Sequence, residues 1–248
     1  MLIILSPAKS LDFSSNFKCP NSSKPTFQNR TAILVDNLKK LSIKNLQELM
    51  SISEKLGELN YQRFQNFENN PQRQAILAFD GDVYDGIDKE KLTEIDFNYA
   101  QDHINILSGL YGLLRPLDLI KPHRLEMGTK FINLNFFIKN LYDFWSEEIT
   151  NEINKNSAQV IVNLASHEYF SALNLNQINK KIIHIIFQEK KNGTFKTIGI
   201  NSKKARGLMT NFAIKNKINN PQNLQEFNEE KYHFNKFLST QEQWFFTR

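Results

Sequence analysis

Four apolar, strand-like runs in this chain each end at side chains that can ionise, donate hydrogen bonds or act as nucleophiles. The runs cover residues 2–5, 75–79, 104–107 and 160–164, and they lead into Ser6-Pro7-Ala8-Lys9, Asp80-Gly81-Asp82, Ser108-Gly109 and Ala165-Ser166-His167-Glu168. If the four strands are parallel in one sheet, their carboxyl ends open on the same edge, which is where α/β sheets bind ligands. The pattern therefore predicts one polar crevice at that edge.

The densest group of chemically useful residues lies in residues 106–128, ILSGLYGLLRPLDLIKPHRLEMG. Arg115 and Arg124 in this segment could together hold a phosphate or a carboxylate through paired hydrogen bonds. A structural alternative is that Arg115 and Glu126 form a buried ion pair inside a long ordered loop. The sequence leaves both interpretations open.

Candidate catalytic groups also follow the strands. Ser6, Ser108 and Ser166 are possible nucleophiles, although a serine in this place often caps the next helix and none lies in a G-x-S-x-G elbow. A carboxylate beside a bound substrate can transfer a proton. The candidates for catalysis are therefore Ser108, Glu126, Glu168 and Asp82, and the sequence does not name a reaction.

Metal and cofactor motifs fit poorly. Asp80, Asp82 and Asp85 resemble the start of a calcium loop, but the third aspartate and Gly86 each come one place late for that template. Neither G-x-G-x-x-G nor G-x-x-x-x-G-K-[ST] occurs. We expect no metal and no cofactor, and an ordinary nucleotide-hydrolysing or dinucleotide-binding enzyme is disfavoured.

Positive charge is concentrated in one segment. The chain carries a net charge of +5, whereas residues 180–217 hold ten Lys or Arg against one acidic residue, Glu189, a local charge of +9. Such a segment indicates a polyanionic partner, either nucleic acid or a phosphorylated small molecule. A solvated lysine-rich face is the alternative.

Cysteine content and hydropathy indicate the compartment. Cys19 is the single cysteine, so the chain has no internal disulfide framework. Residues 2–5 are too short for the apolar core of a signal peptide, and no stretch approaches the roughly 20 apolar residues of a membrane helix. We expect a cytoplasmic protein without a membrane partner. Cys19, beside Lys18 in a polar stretch, could be an exposed and somewhat reactive thiol.

Alternating strand and helix patterns predict the α/β class, with a mixed sheet surrounded by helices. No linker divides the 248 residues, so we expect a single domain over residues 1–248. The pattern predicts helices over residues 33–41, 44–50, 97–103 and 134–153. A capping box, Ser51 to Glu54, predicts a further helix that buries Ile52, Leu56 and Leu59 and forms a helical hairpin with the helix over residues 44–50.

The basic segment has its own predicted elements. A strand is expected over residues 181–187, and the Asn192-Gly193 turn predicts an antiparallel hairpin that pairs residues 183–188 with 195–200. Ser202 is predicted to cap a helix that carries Lys203, Lys204 and Arg206 in its first turns.

Five segments, LSPAKSLD, FDGDVYDGI, LSGLYGLLRPLDLIKPHRLEMG, NLASHEYF and KKARGLM, closely resemble the YaaA family of bacterial peroxide-stress proteins. The likeness extends over nearly the whole chain. It implies a cytoplasmic protein that limits oxidative damage and is associated with lowered free intracellular iron. It also implies a single-domain α/β fold with a basic cleft and a helix-hairpin-helix that binds duplex DNA.

The resemblance places functional residues on this chain. It implies a hairpin over residues 44–67 and a cleft that binds phosphate, with the cationic contacts Lys9, Lys55, Arg63, Arg115, Arg124, Lys203, Lys204 and Arg206. Three departures stand out: His123 where the family has Tyr, His167 where it has Asp, and Ser51-Ile52-Ser53 in place of a Gly-x-Gly turn. The expected partner is duplex or structured DNA with little sequence preference, and the alternative is an enzyme acting on a nucleotide, a base or a nucleic-acid end in the same cleft.

Overall fold

The computed structural model describes residues 1–16, 19, 21–131 and 136–248. Its strands, in chain order, are β1 (Leu2–Leu5), β2 (Ser10–Leu11), β3 (Arg73–Gln74), β4 (Phe79–Asp80), β5 (Ile104–Ser108), β6 (Gly112–Leu114), β7 (Leu119–Ile120), β8 (Val160–Asn163), β9 (Lys181–Lys191), β10 (Thr194–Lys196), β11 (His233–Phe234) and β12 (Gln243–Thr247). Its α-helices are α1 (Gln28–Leu38), α2 (Ile43–Met50), α3 (Glu54–Gln65), α4 (Ala75–Ala78), α5 (Glu94–His103), α6 (Leu141–Lys155), α7 (His167–Phe170) and α8 (Gly199–Asn216).

A mixed, mostly parallel sheet organises the described part of the chain. Eight strands form it in the order β11-β12-β9-β8-β1-β5-β6, with β10 paired to β9 alone. The run β12-β9-β8-β1-β5 is parallel, and β6, β10 and β11 are antiparallel to their neighbours. All four side chains of β1 are buried, as expected for a central parallel strand covered on both faces. The α/β prediction is confirmed, and the single-domain assignment stays a prediction.

One of the four predicted strands is wrong. Residues 75–78 form the single turn of α4, and only Phe79 and Asp80 are extended, as β4. All four residues of α4 are buried, and a short apolar run buried on every side has no period that separates helix from strand. Because β4 pairs with β2, Asp80 still lies beside the segment that follows β1.

The helical hairpin exists, but its cap differs from the prediction. Ser51 has φ +51° and ends α2 in the left-handed region, so it is not available to cap α3. Ser53 takes that place, and its hydroxyl accepts a hydrogen bond from Leu56 N at 3.5 Å. As a result α3 buries Gly57, Asn60 and Phe64, while Leu59 faces solvent.

Two other helix boundaries also move. The helix predicted over residues 134–153 begins at Leu141, where Asn140 caps it by accepting from Asp143 N at 2.8 Å, and Leu134 lies outside the described residues. Ser202 is not a cap either, because α8 begins earlier, at Gly199, and buries Ser202. The Asn192-Gly193 turn between β9 and β10 is confirmed, with positive φ at both residues. The predicted pairing of residues 183–188 with 195–200 is wrong, because β10 pairs with residues 189–191 and α8 begins at Gly199.

A close backbone crossing fixes the position of α8. A Cβ atom added at Gly207 would lie 1.7 Å from the carbonyl oxygen of Val83, and one added at Gly86 would lie 2.5 Å from the amide nitrogen of Leu208. Only glycine permits helix and turn to approach this closely. The contact sets where the cationic side chains of α8 are presented.

A buried carboxylate fastens the other end of α8. Asp96 in α5 accepts hydrogen bonds from Lys217, from Lys215 Nζ at 3.0 Å and from Thr93 N at 2.8 Å. Burial alone would raise the pKa of Asp96, but these donors outweigh it and hold the pKa well below its ordinary value of 3.8. The ionised form therefore stabilises the fold.

We predict that Asp96→Asn lowers the free energy of unfolding by about 2 kcal/mol at pH 7, since hydrogen bonds to a charged group are lost while the lysines stay partly solvated. Because the native pKa is depressed, this contribution is complete above about pH 5 and is lost as the pH falls through the native pKa. Urea unfolding at pH 7 and pH 3 measures both. Asp88→Asn, which removes an exposed pair with Lys91, should cost under about 0.5 kcal/mol; a loss for Asp96→Asn that does not shrink in acid would contradict the account.

Among the described residues, no helix combines the length and the apolar composition that a membrane span requires.

Candidate phosphate-binding crevice

The carboxyl ends of β1, β5 and β8 converge, as the sequence predicts for three of its four runs. The hydroxyl oxygen of Ser6, directly after β1, accepts a hydrogen bond from the Ser166 amide at 2.8 Å and lies 3.3 Å from the Ser166 hydroxyl. Tyr84, fully buried, donates its hydroxyl hydrogen to the carbonyl of Ser6 at 3.0 Å. These hydrogen bonds hold the segments after β1, β4 and β8 next to one another, around one opening.

That opening, which we call the crevice, has two neighbouring chambers that share the lining residues Lys9, Glu126 and Glu168. The inner chamber, about 500 Å³, is lined by residues from the strand ends and from α8, including Ser6, Asp82, Ser166, Lys203 and Arg206. The hairpin chamber, about 380 Å³, is lined by Leu49, Met50 and Ser51 at the turn of the helical hairpin, together with Arg124 and Gly128.

Charge in the crevice is balanced. Over the described residues its lining holds four cations and four carboxylates, namely Lys9, Arg124, Lys203 and Arg206 with Asp80, Asp82, Glu126 and Glu168. The cations come from three distant parts of the chain, and the fold brings them together. A crevice that only neutralised phosphates would have no use for four carboxylates.

Glu126 bridges two of the cations. Its carboxylate lies 2.8 Å from Lys9 Nζ and 3.1 Å from Arg124 Nη2. The predicted alternative, an ion pair between Arg115 and Glu126, is wrong, because Arg115 pairs instead with the buried Asp118 at 3.4 Å. Glu126 thus shields Lys9 and Arg124 from any anion that enters.

Arg115 lies outside the crevice. It follows β6, which runs antiparallel to β5 and returns the chain to the amino end of that strand. There Arg115 lines a separate hollow with Asn105 and Lys155. The expectation that Arg115 and Arg124 share one cleft is therefore wrong, because a strand reversal separates them.

Two crevice arginines have a buried donor without an acceptor. The Nε atoms of Arg124 and Arg206 are inaccessible to solvent and have no hydrogen-bond partner among the described residues. Burial lowers the pKa of the Arg206 guanidinium, and no carboxylate in the described part of the chain lies within ion-pair distance of it. A half-buried guanidinium with an unpaired buried donor and no carboxylate partner is costly, and such an arginine is suited to bind an anion.

The rest of the basic segment has other contacts. Lys203 lies 3.4 Å from Asp82 at the mouth of the inner chamber, while Lys204 pairs with Glu230 at 2.8 Å. Lys215 and Lys217 bind Asp96. The local charge of +9 is therefore divided among several places, and only Lys203 and Arg206 of this segment line the crevice.

Three of the four catalytic candidates, Glu126, Glu168 and Asp82, line the crevice, whereas Ser108 lines a small cavity beside it. Ser108 is buried, and its hydroxyl oxygen accepts from the Tyr111 amide at 3.2 Å. Glu168 accepts from the Gly128 amide at 2.9 Å through one oxygen, and Asp82 faces Lys203. Glu168 and Asp82 thus each have one carboxylate oxygen without a donor among the described residues.

The two hairpin cations predicted to bind phosphate, Lys55 and Arg63, do not line the crevice. Lys55 is exposed on α3, and Arg63 is half-buried close enough to His123 to lower that histidine's pKa. The sequence did not predict that Leu49, Met50 and Ser51 form a wall of the crevice. The feature that could have indicated this wall is the turn of the hairpin, because a hairpin that binds a ligand presents its turn to it.

Two other residues singled out in the sequence are poorly suited to chemistry. Burial, opposed in part by the hydrogen bond to the Lys121 carbonyl, lowers the pKa of His123 to about 4, so the imidazole is neutral at pH 7. Burial also raises the pKa of the Cys19 thiol, which disfavours the reactive thiolate.

Comparison with known proteins identifies the family of this chain. The family described as peroxide stress protein YaaA matches residues 1–238. This chain belongs to the YaaA family. Relatives include UPF0246 proteins of Acaryochloris marina, 49% identical with full coverage of both chains, of Saccharophagus degradans, 46% identical, and of Teredinibacter turnerae, 44% identical, the last two covered over 99% of their length and all of this chain. The YaaA resemblance drawn from the five sequence segments is thereby confirmed.

Glu126 gives a direct test of the charge arrangement in this YaaA-family crevice. We predict that Glu126→Gln tightens binding of inorganic phosphate by about threefold to tenfold, because Lys9 and Arg124 lose the carboxylate that competes for them. Isothermal titration calorimetry at low salt measures this. Glu152→Gln, which removes an exposed pair with Lys155 on the far edge of the sheet, is the matched control; weaker phosphate binding in Glu126→Gln alone would mean that Glu126 organises the cations.

Proposed function

We propose that this YaaA-family protein protects cells against peroxide in the cytoplasm by binding duplex or structured DNA, with little sequence preference, across the helical hairpin and the crevice. The observation that carries the proposal is that the hairpin turn and crevice cations line one and the same cavity. The hairpin turn is a wall of the same cavity that holds Lys9 and Arg124, so one polyanion can contact both.

Cations extend this surface in two directions. Lys55 and Arg63 lie on α3 of the hairpin, and Lys203 lies at the other mouth of the crevice, with Lys204 nearby on α8. Spaced cations of this kind suit the phosphates of a nucleic-acid backbone, which position a protein without reading sequence. Arg115, on the opposite edge, is not part of the proposed surface.

The test is the salt dependence of duplex binding. Each residue that neutralises a phosphate adds roughly 0.9 to the slope of log affinity against log salt. Replacing Lys203, Lys204 and Arg206 together by glutamine should flatten this slope, whereas Arg115→Gln should leave it unchanged. Fluorescence anisotropy with a labelled 20-base-pair duplex measures both, and unchanged salt dependence in the triple variant would refute the proposal.

A second candidate, an enzyme acting on a nucleotide, a base or a nucleic-acid end, is favoured by the four carboxylates in the crevice, which phosphate binding does not need. Glu126, Glu168 or Asp82 would move a proton while the cations held phosphate. Incubation with damaged duplexes and a nucleotide panel, with Glu126→Gln in parallel, tests it. Turnover that the variant loses supports the enzyme, and no turnover of any substrate supports binding alone.

The association with lowered free iron also belongs to the proposal and rests on the family resemblance. We propose that it follows from protection of DNA. Equilibrium dialysis with ferrous ion is the test: uptake by the purified protein would replace this part of the proposal with direct sequestration.

A further inference from the structure

We propose that the inner chamber binds a single nucleoside monophosphate unit, with its phosphate at Arg206 and Lys203 and the amino group of its base at Glu168. This inference rests on the proposed function, since it names what enters the crevice when a nucleic acid lies across it. The same unit is also available as a free nucleotide, and the experiment separates the two sources.

The size of the crevice excludes a duplex from its interior. Chambers of about 500 and 380 Å³ fall within the range of about 300–1,000 Å³ that is typical of small-ligand sites. The major groove of duplex DNA alone is about 12 Å wide, so the whole duplex is far larger than either chamber. A paired helix can therefore touch only the rim, whereas one unpaired nucleotide can enter.

The cationic side of the inner chamber is suited to a compact anion. Arg206 projects from α8 with its Nε buried and without an acceptor in the described residues, and Lys203 lies one turn earlier at the opening. A phosphate provides several oxygens within a small volume, so it can accept from a guanidinium edge in paired hydrogen bonds. Because Nε itself is inaccessible, a phosphate would be bound through the terminal nitrogens of Arg206, which are not among the inaccessible atoms.

The carboxylate of Glu168 in the inner chamber can accept a further hydrogen bond from a ligand. Glu168 is held by the Gly128 amide through one oxygen, and no described residue donates to the other. An ionised carboxylate only accepts hydrogen bonds, so it repels phosphate and attracts an amino group. Exocyclic amino groups occur on cytosine, adenine and guanine, and carboxylates accept from cytosine N4 in nucleic-acid complexes, whereas thymine offers a carbonyl oxygen at the same place.

The fold holds these two sides at a fixed separation. Glu168 sits in the first turn of α7, which Ser166 caps and Ser6 tethers, and Tyr142 donates to the Glu168 carbonyl at 3.1 Å. Arg206 precedes Gly207, which is locked against Val83. A phosphate site and a base-amine site on rigid elements can therefore select one ligand by both of its ends.

The experiment compares dCMP, dTMP and inorganic phosphate by isothermal titration calorimetry, and adds 20-base-pair duplexes that are fully paired or carry one unpaired cytosine or thymine. We expect dCMP to bind at least about tenfold tighter than dTMP or phosphate, the discrimination expected of one good base contact. Glu168→Gln should abolish or reverse the preference, because its amide nitrogen then faces the base and can donate to the thymine carbonyl but not accept from the cytosine amino group. Its oxygen can still accept from the Gly128 amide, and Glu152→Gln is the unaffected control.

The two sources give different results. Tighter binding of the duplex with an unpaired cytosine than of the paired duplex assigns the chamber to a DNA strand, and a preference seen only among free nucleotides assigns it to a free nucleotide. Equal affinity for dCMP, dTMP and phosphate overturns the inference, yet leaves the proposed function standing if the paired duplex binds with steep salt dependence. Selective dCMP binding without any duplex binding overturns the proposed function and keeps the inference.

Discussion

Replacing Arg206 with methionine is expected to make the free protein more stable and its binding to DNA weaker. Arg206 is half-buried, its Nε is inaccessible and has no acceptor among the described residues, and burial lowers the pKa of the guanidinium. Removing such a charge relieves a desolvation penalty, and methionine fills similar space. The same removal deletes a charge-assisted contact to phosphate, whose loss typically costs about 1.5–3 kcal/mol, or roughly tenfold to a hundredfold in affinity.

Thermal unfolding and anisotropy titration of the Arg206→Met variant test both effects in one sample. Lys204→Met is the matched control, because Lys204 lies two residues away on α8 but is exposed and paired with Glu230. It should leave Tm nearly unchanged and affect DNA binding only slightly. If Arg206→Met lowered Tm and left affinity intact, Arg206 would be a structural residue and the crevice would not be an anion site.

Gly207→Ala is expected to be the most destabilising single-methyl substitution in α8. Its Cβ would lie 1.7 Å from the Val83 carbonyl oxygen, a backbone atom that no rotamer change can move. Forcing such a contact apart costs at least the 1–3 kcal/mol typical of overpacking. It would also shift Arg206 and Lys203 away from the crevice, so DNA affinity should fall with stability.

Gly199→Ala is the control for that substitution. Gly199 begins the same helix, and a Cβ there would meet nothing within 4 Å. Because alanine restricts the unfolded chain more than glycine does, we expect Gly199→Ala to be neutral or to stabilise by about 0.4–1 kcal/mol. Urea unfolding of both variants gives the comparison, and equal effects at the two positions would rule out the backbone crossing as the feature that places α8.

The sequence predicts the centre of the sheet well. The runs at β1, β5 and β8 are mostly apolar, with Asn105 and Asn163 as the polar exceptions, which is typical of parallel strands buried on both faces. Residues 75–78 share that apolar composition but form α4, because complete burial removes the periodicity that separates helix from strand. Burial is a property of the whole fold, so a local pattern cannot resolve this case.

For a related reason, the sequence predicts only some of the residues that line the crevice. Arg115 and Arg124 are nine residues apart and look equivalent, yet the reversal at Gly112, φ +71°, sends Arg115 to the far edge. A Cβ at Gly112 would lie 2.7 Å from the Trp145 ring, a contact made by a helix far along the chain. Composition identified the cations, but long-range packing decides which of them meet.

The net charge of a segment likewise does not show where its charged side chains lie in the fold. The segment 180–217 has a local charge of +9, but Lys215 and Lys217 bind the buried Asp96 instead of facing a ligand. The acidic residues that balance the crevice come from other parts of the chain. Net charge therefore indicated a polyanionic partner, while the balance of charges inside the crevice emerges only from the fold.

Lysine acylation with and without duplex DNA, read by mass spectrometry, tests the central claim most directly. Lys9 and Lys203 in the crevice and Lys155 in the far hollow have comparably exposed side chains, 64%, 60% and 73%. The account predicts that a saturating duplex protects Lys9, Lys203 and Lys55 and leaves Lys155 reactive. Protection of Lys155 with Lys9 and Lys203 unchanged would place the DNA on the opposite edge of the sheet and contradict the account.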